Sequence, residues 1–209
     1  MNNTDELKKI ISEMNTGDLL LFDGMGYWFS YLIEWMTWSD FSHCGMILKD
    51  PIYLDPKLKG IYMLESGTEK FPDAVEHRIC FGVQIVNLEK VIENYYGHIW
   101  YRKLNAPISI KEEFSTKLFP LWSKIKDLPY DDNIYDLIRV EFDLDWGDMK
   151  RTNKFFCSAL QTFLYQKMDL FNEDNISWDM IKPCDFDDGG KIEKLLSKEV
   201  DMIPKIQLK

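Results

Sequence analysis

Five short apolar segments follow one another closely in the first half of the chain, and their spacing constrains the fold more than any other feature. Apolar runs of this length, bounded by glycine, aspartate or serine, are typical of β strands. Their close succession favours an antiparallel sheet or a partial barrel of about five strands. The expected strands span residues 18–22, 43–48, 60–65, 82–88 and 98–104.

The second half of the chain shows helical periodicity. Residues 154–168 predict a helix, because apolar side chains recur along them every three or four positions. Residues 111–126 have a similar pattern, in which Pro120 is expected to kink the helix. Strands followed by helices predict an α+β fold, with the sheet packed against helices. Further helices are expected at residues 5–14, 27–38, 89–96, 133–143 and 192–196, and a loop at 182–188.

No internal repeat, low-complexity tract or Pro/Gly/Ser-rich linker divides the chain. We therefore expect a single domain over residues 1–209. The sequence leaves the oligomeric state open.

The charge balance argues against two classes of partner. With 25 Lys and Arg against 35 Asp and Glu, the net charge is −10. A site for the phosphate backbone of nucleic acids needs a clustered basic face, and so does a polybasic membrane anchor. We therefore expect neither function.

Nothing in the sequence predicts export or membrane insertion. Residues 1–14 place acidic side chains before any apolar stretch and lack the pattern of a signal peptide. No apolar run approaches the ~18 residues that a membrane span needs. We expect a soluble, cytoplasmic protein without a transmembrane segment, in which all four cysteines are free thiols.

Cys157 stands in the first turn of the helix predicted over residues 154–168, just after a suitable cap at residues 152–153. The positive end of a helix favours a thiolate and lowers the pKa of the thiol. A cysteine in this position is suited to nucleophilic catalysis. The competing interpretation, a small buried cysteine that only packs the helix, is the commoner case.

Catalysis by a thiol also needs an imidazole and a group that orients it. His43 begins a predicted strand in which Gly45 leaves room for another group to approach. Glu65 ends a second apolar strand, where a carboxylate can accept an imidazole N–H and fix the tautomer. Taken alone, each residue more commonly has a structural explanation: His43 as an edge-strand histidine with a satisfied hydrogen bond, and Glu65 as a strand-end charge that points to water.

A zinc site is an alternative for part of this set. His43, Cys44, His77 and Cys80 are all of the residue types that bind zinc. Their spacing argues against it, since His43 and Cys44 are adjacent on a strand and point to opposite faces. We expect no metal and no organic cofactor.

Several short motifs follow one another in a recognisable order. They are TGDLLLF at 16–22, SHCG at 42–45, ESG at 65–67, PYD at 129–131, FFCSAL at 155–160 and KPCDF at 182–186. Together they resemble the circularly permuted NlpC-type papain-like cysteine hydrolases, which include a YiiX-like group and a poxvirus branch and are related to lecithin retinol acyltransferase. The resemblance covers residues 16–186, with an extra helical segment at 105–127 and a C-terminal tail after residue 188.

The resemblance implies a permuted papain-like fold, because the histidine and glutamate precede the cysteine, and it assigns roles to single residues. Cys157 would be the nucleophile, His43 its base and later the acid, and Glu65 the group that orients His43. The substrate-binding residues would be Tyr130, Trp38 and Ser158. Two positions depart from the family pattern: Ala159 replaces a common glutamate, and Cys44 replaces an aliphatic residue.

Relatives in this family act on peptide, lipid-amide or ester bonds. The implied activity is therefore the hydrolysis of an amide or ester through an acyl-enzyme, with acyl transfer as a variant of the same chemistry. The alternative is a catalytically silent binding or structural module on the same scaffold.

Overall fold

The structure is a computed structural model that describes residues 3–23, 41–67, 71–126, 128, 156–172, 176, 178 and 181–209. Its strands are β1 Leu19–Asp23, β2 His43–Lys49, β3 Ile61–Gly67, β4 Gly82–Asn87, β5 His98–Arg102, β6 Leu104–Asn105, β7 Asp201–Met202 and β8 Ile206–Gln207. Its helices are α1 Asn3–Glu13, α2 Leu88–Asn94, α3 Ile108–Ile125, α4 Phe156–Lys167 and α5 Lys191–Leu195, with a 3₁₀ turn at Pro183–Phe186.

Six of the described strands form one antiparallel sheet in the order β4-β3-β2-β1-β5-β8, and β6 pairs with β7 separately. The five strands predicted in the first half of the chain are all present, each within two residues of its expected bounds. The antiparallel sheet together with the helices confirms the α+β class. Strands β2 and β3 both lie in the interior of the sheet, which matters for the site below.

The sixth strand, β8, comes from the C-terminal tail and was not predicted. It is two residues long and both are exposed, so it carries no apolar alternation. It pairs with β5 at Trp100 and Tyr101. Arg102 holds the tail nearby, because its buried guanidinium donates to the Phe186 carbonyl at 2.8 Å and pairs with Glu193 at 2.5 Å.

Both faces of the sheet are covered by apolar side chains. On one face, Cys44, Met46 and Leu48 of β2 belong to the same core cluster as residues of α3 and α4. On the other face, Ile47 and Met63 pack with residues of α1 and α2. The alternation predicted along β2 is therefore confirmed, and it separates a helix-α4 side from a helix-α2 side.

Asp18 fixes the start of β1 from a fully buried position. Its carboxylate accepts hydrogen bonds from the Asn15 N–H at 2.8 Å, the Leu104 N–H at 2.9 Å and the Tyr101 hydroxyl at 2.6 Å. Three donors compensate the burial of the charge. The network ties β1 to β5 and so fixes the strand that borders β2.

The helices lie close to their predicted positions, with two qualifications. Residues 182–188 were expected as a loop, but Pro183–Phe186 forms a 3₁₀ turn, since a leading proline already has the φ angle of a first helical turn. The helices expected at residues 27–38 and 133–143 lie outside the described residues. Among the helices that are described, none is long and apolar enough to cross a membrane.

Candidate active site

His43 is the first residue of β2 and lies in the interior of the sheet, between β1 and β3. It is therefore not an edge-strand histidine. Its partner across β1 is Phe22, and the centroids of the two rings are 5.4 Å apart. The side chain of His43 is 5% exposed, so its charge state depends on protein neighbours more than on water.

Glu65 supplies the closest of these neighbours. Its Oε2 lies 2.5 Å from Nε2 of His43, and its side chain is 1% exposed. The alternative in which Glu65 points to water is therefore wrong. Because Nε2 is hydrogen-bonded to the carboxylate, Nδ1 is the ring nitrogen that can exchange a proton with a reacting group.

Gln84 is a member of the site that sequence reasoning missed. It stands directly opposite Glu65 in the β3–β4 register, and its Nε2 donates to Oε1 of Glu65 at 2.8 Å. Both oxygens of the carboxylate are thus engaged, one by His43 and one by Gln84, which fixes its orientation. The available signal was a single buried glutamine in an otherwise apolar strand.

Cys157 approaches this group from α4, of which it is the second residue. It is buried in the core cluster on the α4 side of the sheet. The first turn of a helix carries a partial positive charge and N–H groups without intrahelical acceptors. Cys157 thus lies in the first described turn of α4.

The pKa values of Cys157 and His43 move in opposite directions. A hydrogen bond from the Cys44 thiol is the largest cause that lowers the pKa of Cys157; burial opposes it, and the charge of His43 lowers the pKa further, to well below 9.0. Burial lowers the pKa of His43, but the charge of Cys157 and hydrogen bonds with Cys157 and Glu65 raise it well above 6.5. The two shifts both favour a thiolate beside an imidazolium, which is the reactive form of a nucleophilic cysteine.

Polar contacts fix α4 against the sheet. Gln161 donates to the Leu64 carbonyl of β3 at 3.1 Å, one turn along the helix from Cys157. The Ser158 hydroxyl is fully buried and donates to the Ile181 carbonyl at 2.7 Å. Ser158 was predicted to bind substrate; its hydroxyl holds the helix instead, so a substrate contact would fall to its backbone N–H.

The room beside Gly45 is taken by the protein itself. A Cβ at this position would lie 2.6 Å from both Cγ and Sδ of Met63, far closer than a carbon atom tolerates. The expectation that Gly45 leaves space for an approaching group is therefore wrong, because the side chain of Met63 fills that space. The glycine makes room for the Met63 side chain of the neighbouring strand β3.

The remaining predicted residues divide into two sets. Trp38 and Tyr130 lie outside the described residues. The zinc alternative gains no support, because the described part of the chain contains no group of three or more His, Cys, Asp or Glu side chains placed to hold a metal ion. Cys80 instead donates from its Sγ to the Arg78 carbonyl at 3.5 Å.

A scan against models of known protein families returns no match for this chain, and a search of curated proteins returns none either. The function therefore has to be inferred from the geometry of Cys157, His43, Glu65 and Gln84.

Proposed function

We propose that this protein is a cysteine hydrolase with a permuted papain-like fold, which cleaves an amide or ester bond through an acyl-enzyme. The observation that carries the proposal is one buried imidazole that is hydrogen-bonded to a carboxylate and whose charge lowers the pKa of a helix thiol. Each component of a Cys-His-acid site is present, and each comes from a different element: α4, β2 and β3.

In the first half of the reaction, the Cys157 thiolate adds to the carbonyl carbon of the substrate. The tetrahedral intermediate then collapses as Nδ1–H of His43 protonates the leaving amine or alcohol. Glu65 stabilises the imidazolium before this transfer and holds the ring in one orientation throughout. The product of this half is a thioester on Cys157 and a neutral His43.

In the second half, neutral His43 removes a proton from water, and the resulting nucleophile attacks the thioester. The acid product leaves, and the thiolate and imidazolium are restored. If an alcohol or amine replaces water, the same steps transfer the acyl group instead.

The oxyanion of each intermediate would be stabilised at the start of α4. Backbone N–H groups in the first turn of a helix point along its axis without intrahelical acceptors. Removing one such donor from an enzyme costs about 100- to 1,000-fold in rate, so this contribution is large. The N–H groups of Cys157 and Ser158 are the donors that we assign to this role.

The test is acyl-enzyme formation on Cys157. The full-length protein is incubated with nitrophenyl esters of increasing acyl length, a lipid amide and a peptidyl ester, and acylation is read by peptide mass spectrometry. We expect an acyl adduct on Cys157 with at least one class and none in Cys157→Ala. In His43→Ala acylation should be slower, because the charge of His43 no longer lowers the pKa of Cys157, and the adduct that forms should persist, because no base activates water for its release.

The outcome that contradicts the proposal is also defined by Cys157. If no class acylates it, and iodoacetamide modifies it no faster than the buried Cys80, then the thiol is not activated. The protein would then be the silent binding module on the same scaffold. Cys80→Ser is the control that should leave acylation unchanged.

A further inference from the structure

Gln84 is a fully buried polar side chain on a face of β4 that is otherwise apolar. By the alternation of the strand it shares this face with Val86, which belongs to the apolar cluster on the α2 side of the sheet. Its Oε1 has no hydrogen-bond partner among the described residues. An unpaired buried polar atom costs free energy that an apolar side chain would avoid, so packing alone does not explain a glutamine here.

The carboxylate of Glu65 has a closely defined place beside Gln84. The two residues are direct partners in the β3–β4 register, where side chains point to the same face. Gln84 donates to Oε1 at 2.8 Å, while Oε2 lies 2.5 Å from Nε2 of His43. A Cβ at Gly67 would lie 3.0 Å from Oε2, so the glycine leaves this oxygen its space. Three neighbours therefore fix which carboxylate oxygen meets the imidazole.

The contact between His43 and Glu65 can hold its proton on either side. In one arrangement an imidazolium donates from Nε2 to a carboxylate; in the other, a neutral imidazole accepts from a carboxylic acid. Burial alone favours the second arrangement, because it costs more to remove two charges from water than two neutral groups. A donor on Oε1, the oxygen that does not meet His43, favours the first, since a hydrogen bond to an ionised acceptor is the stronger one.

We propose that Gln84 is a positioning residue of the active centre: by donating to Oε1 of Glu65, it keeps the proton of the His43–Glu65 contact on Nε2 of His43. The proposal deepens the function proposed above, and its effect on turnover rests on that function. The position of the proton rests only on the contacts among three buried side chains. It does not depend on the state of Cys157.

The reaction needs the proton in this place because His43 acts as the acid. When the imidazolium gives its Nδ1 proton to the leaving amine or alcohol, a neutral ring remains whose Nε2–H still donates to Glu65. If Glu65 held the proton beforehand, the ring would already be neutral, and a neutral imidazole is a far weaker acid than an imidazolium. The same Nε2–H tautomer makes Nδ1 the atom that accepts a proton from water in the second half of the reaction.

The experiment compares the wild type with Gln84→Met, which keeps the length of the side chain but has no donor. Nitrogen NMR of full-length protein with isotope-labelled histidine, at neutral pH, detects the proton on Nε2 of His43; the signal that His43→Gln lacks is assigned to it among the three histidines. Infrared spectroscopy detects the C=O stretch of a protonated carboxyl. We expect Gln84→Met to lose most of the Nε2–H signal and to gain a carboxyl band that Gln84→Met/Glu65→Gln lacks.

A second variant separates the donor from the shape of the side chain. In Gln84→Glu two carboxyls lie in contact and cannot both ionise, so the shared proton gives Oε1 of Glu65 a donor again. This variant should recover the Nε2–H signal, whereas a purely structural role predicts that methionine is tolerated better than a second acid. Gln161→Met is the matched control, because Gln161 is equally buried but donates to the Leu64 carbonyl; it should keep the signal. Turnover of a nitrophenyl ester should fall about tenfold or more in Gln84→Met.

Two results would overturn the inference. One is a folded Gln84→Met that keeps the Nε2–H signal and gains no carboxyl band. The other is loss of the signal in Gln84→Glu, which decides the matter even where Gln84→Met does not fold. Failure of the proposed function looks different: no nitrophenyl ester then acylates Cys157 in the wild type, while the spectra of the wild type and Gln84→Met still differ.

Discussion

Replacing Glu65 with glutamine should raise the apparent pKa of Cys157 by about one to two units. The substitution keeps the shape of the side chain but removes the charge that lies 2.5 Å from His43. A hydrogen bond to a charged group contributes about 1.5–3 kcal/mol, and about 1.36 kcal/mol corresponds to one pKa unit. Without the carboxylate, the protonated imidazole loses this stabilisation. The thiolate is then destabilised too, because the charge of the imidazolium stabilises it.

The assay is the rate of iodoacetamide alkylation of Cys157 from about pH 5 to about pH 9, since only the thiolate reacts. Below the pKa, the thiolate fraction falls tenfold for each unit, so Glu65→Gln should slow alkylation there by about 10- to 100-fold. Glu113→Gln is the matched control. Glu113 is 55% exposed and pairs with Lys117 on the surface of α3, so its profile should match the wild type.

An unchanged alkylation profile in Glu65→Gln, in protein whose circular dichroism matches the wild type, would refute this reasoning. It would mean that the charge of His43 does not depend on the carboxylate beside it. An equal shift in Glu113→Gln would refute it as well, because the effect would then belong to the overall charge of the protein.

Three further predictions concern stability. Because the pKa of His43 is raised above 6.5, its contribution to stability is complete below pH 6.5 and is lost as pH rises through the raised pKa; the lowered pKa of Cys157 contributes stability that is complete above pH 9.0 and is lost as pH falls through the lowered pKa. Urea unfolding of the wild type should therefore show a maximum of stability between about pH 6.5 and pH 9.0 that His43→Gln lacks. Gly45→Ala drives a Cβ into Met63 and should destabilise the protein by about 1–3 kcal/mol in urea titrations, with part of the loss recovered by Met63→Ala in the same chain. Asp18→Asn weakens the acceptor of the Tyr101 hydroxyl and should cost about 1.5–3 kcal/mol, and a loss below about 0.5 kcal/mol would contradict the role assigned to this network.

Much of the sheet could be predicted, because each of its longer strands has a recognisable pattern of apolar residues in its own sequence. Alternation along β2, with Cys44 and Ile47 on opposite faces, is a property of neighbouring residues. The two-residue strand β8 has no such local signal, since it exists only because Arg102 and β5 hold the tail in place. Pairings between distant parts of a chain depend on tertiary contacts that periodicity does not encode.

Only part of the candidate site could be predicted from the sequence. The order of His43, Glu65 and Cys157 could be matched to a family pattern; the structure pairs His43 with Glu65, and the charge of His43 lowers the pKa of Cys157. Gln84 could not be found this way, because its role depends on the register that sets it opposite Glu65.

The burial of the polar groups around His43 is costly and bears on the proposed function. His43, Glu65 and Gln84 are all buried, where apolar side chains would fill the same space at no cost in desolvation. Replacing a buried charged pair by apolar residues often stabilises a protein by about 1–4 kcal/mol, so this group is poorly explained by stability alone. The charge of His43 lowers the pKa of Cys157, and a thiol of lowered pKa has chemical use where something reacts with it. A scaffold that merely binds a partner needs neither the imidazolium nor the thiolate.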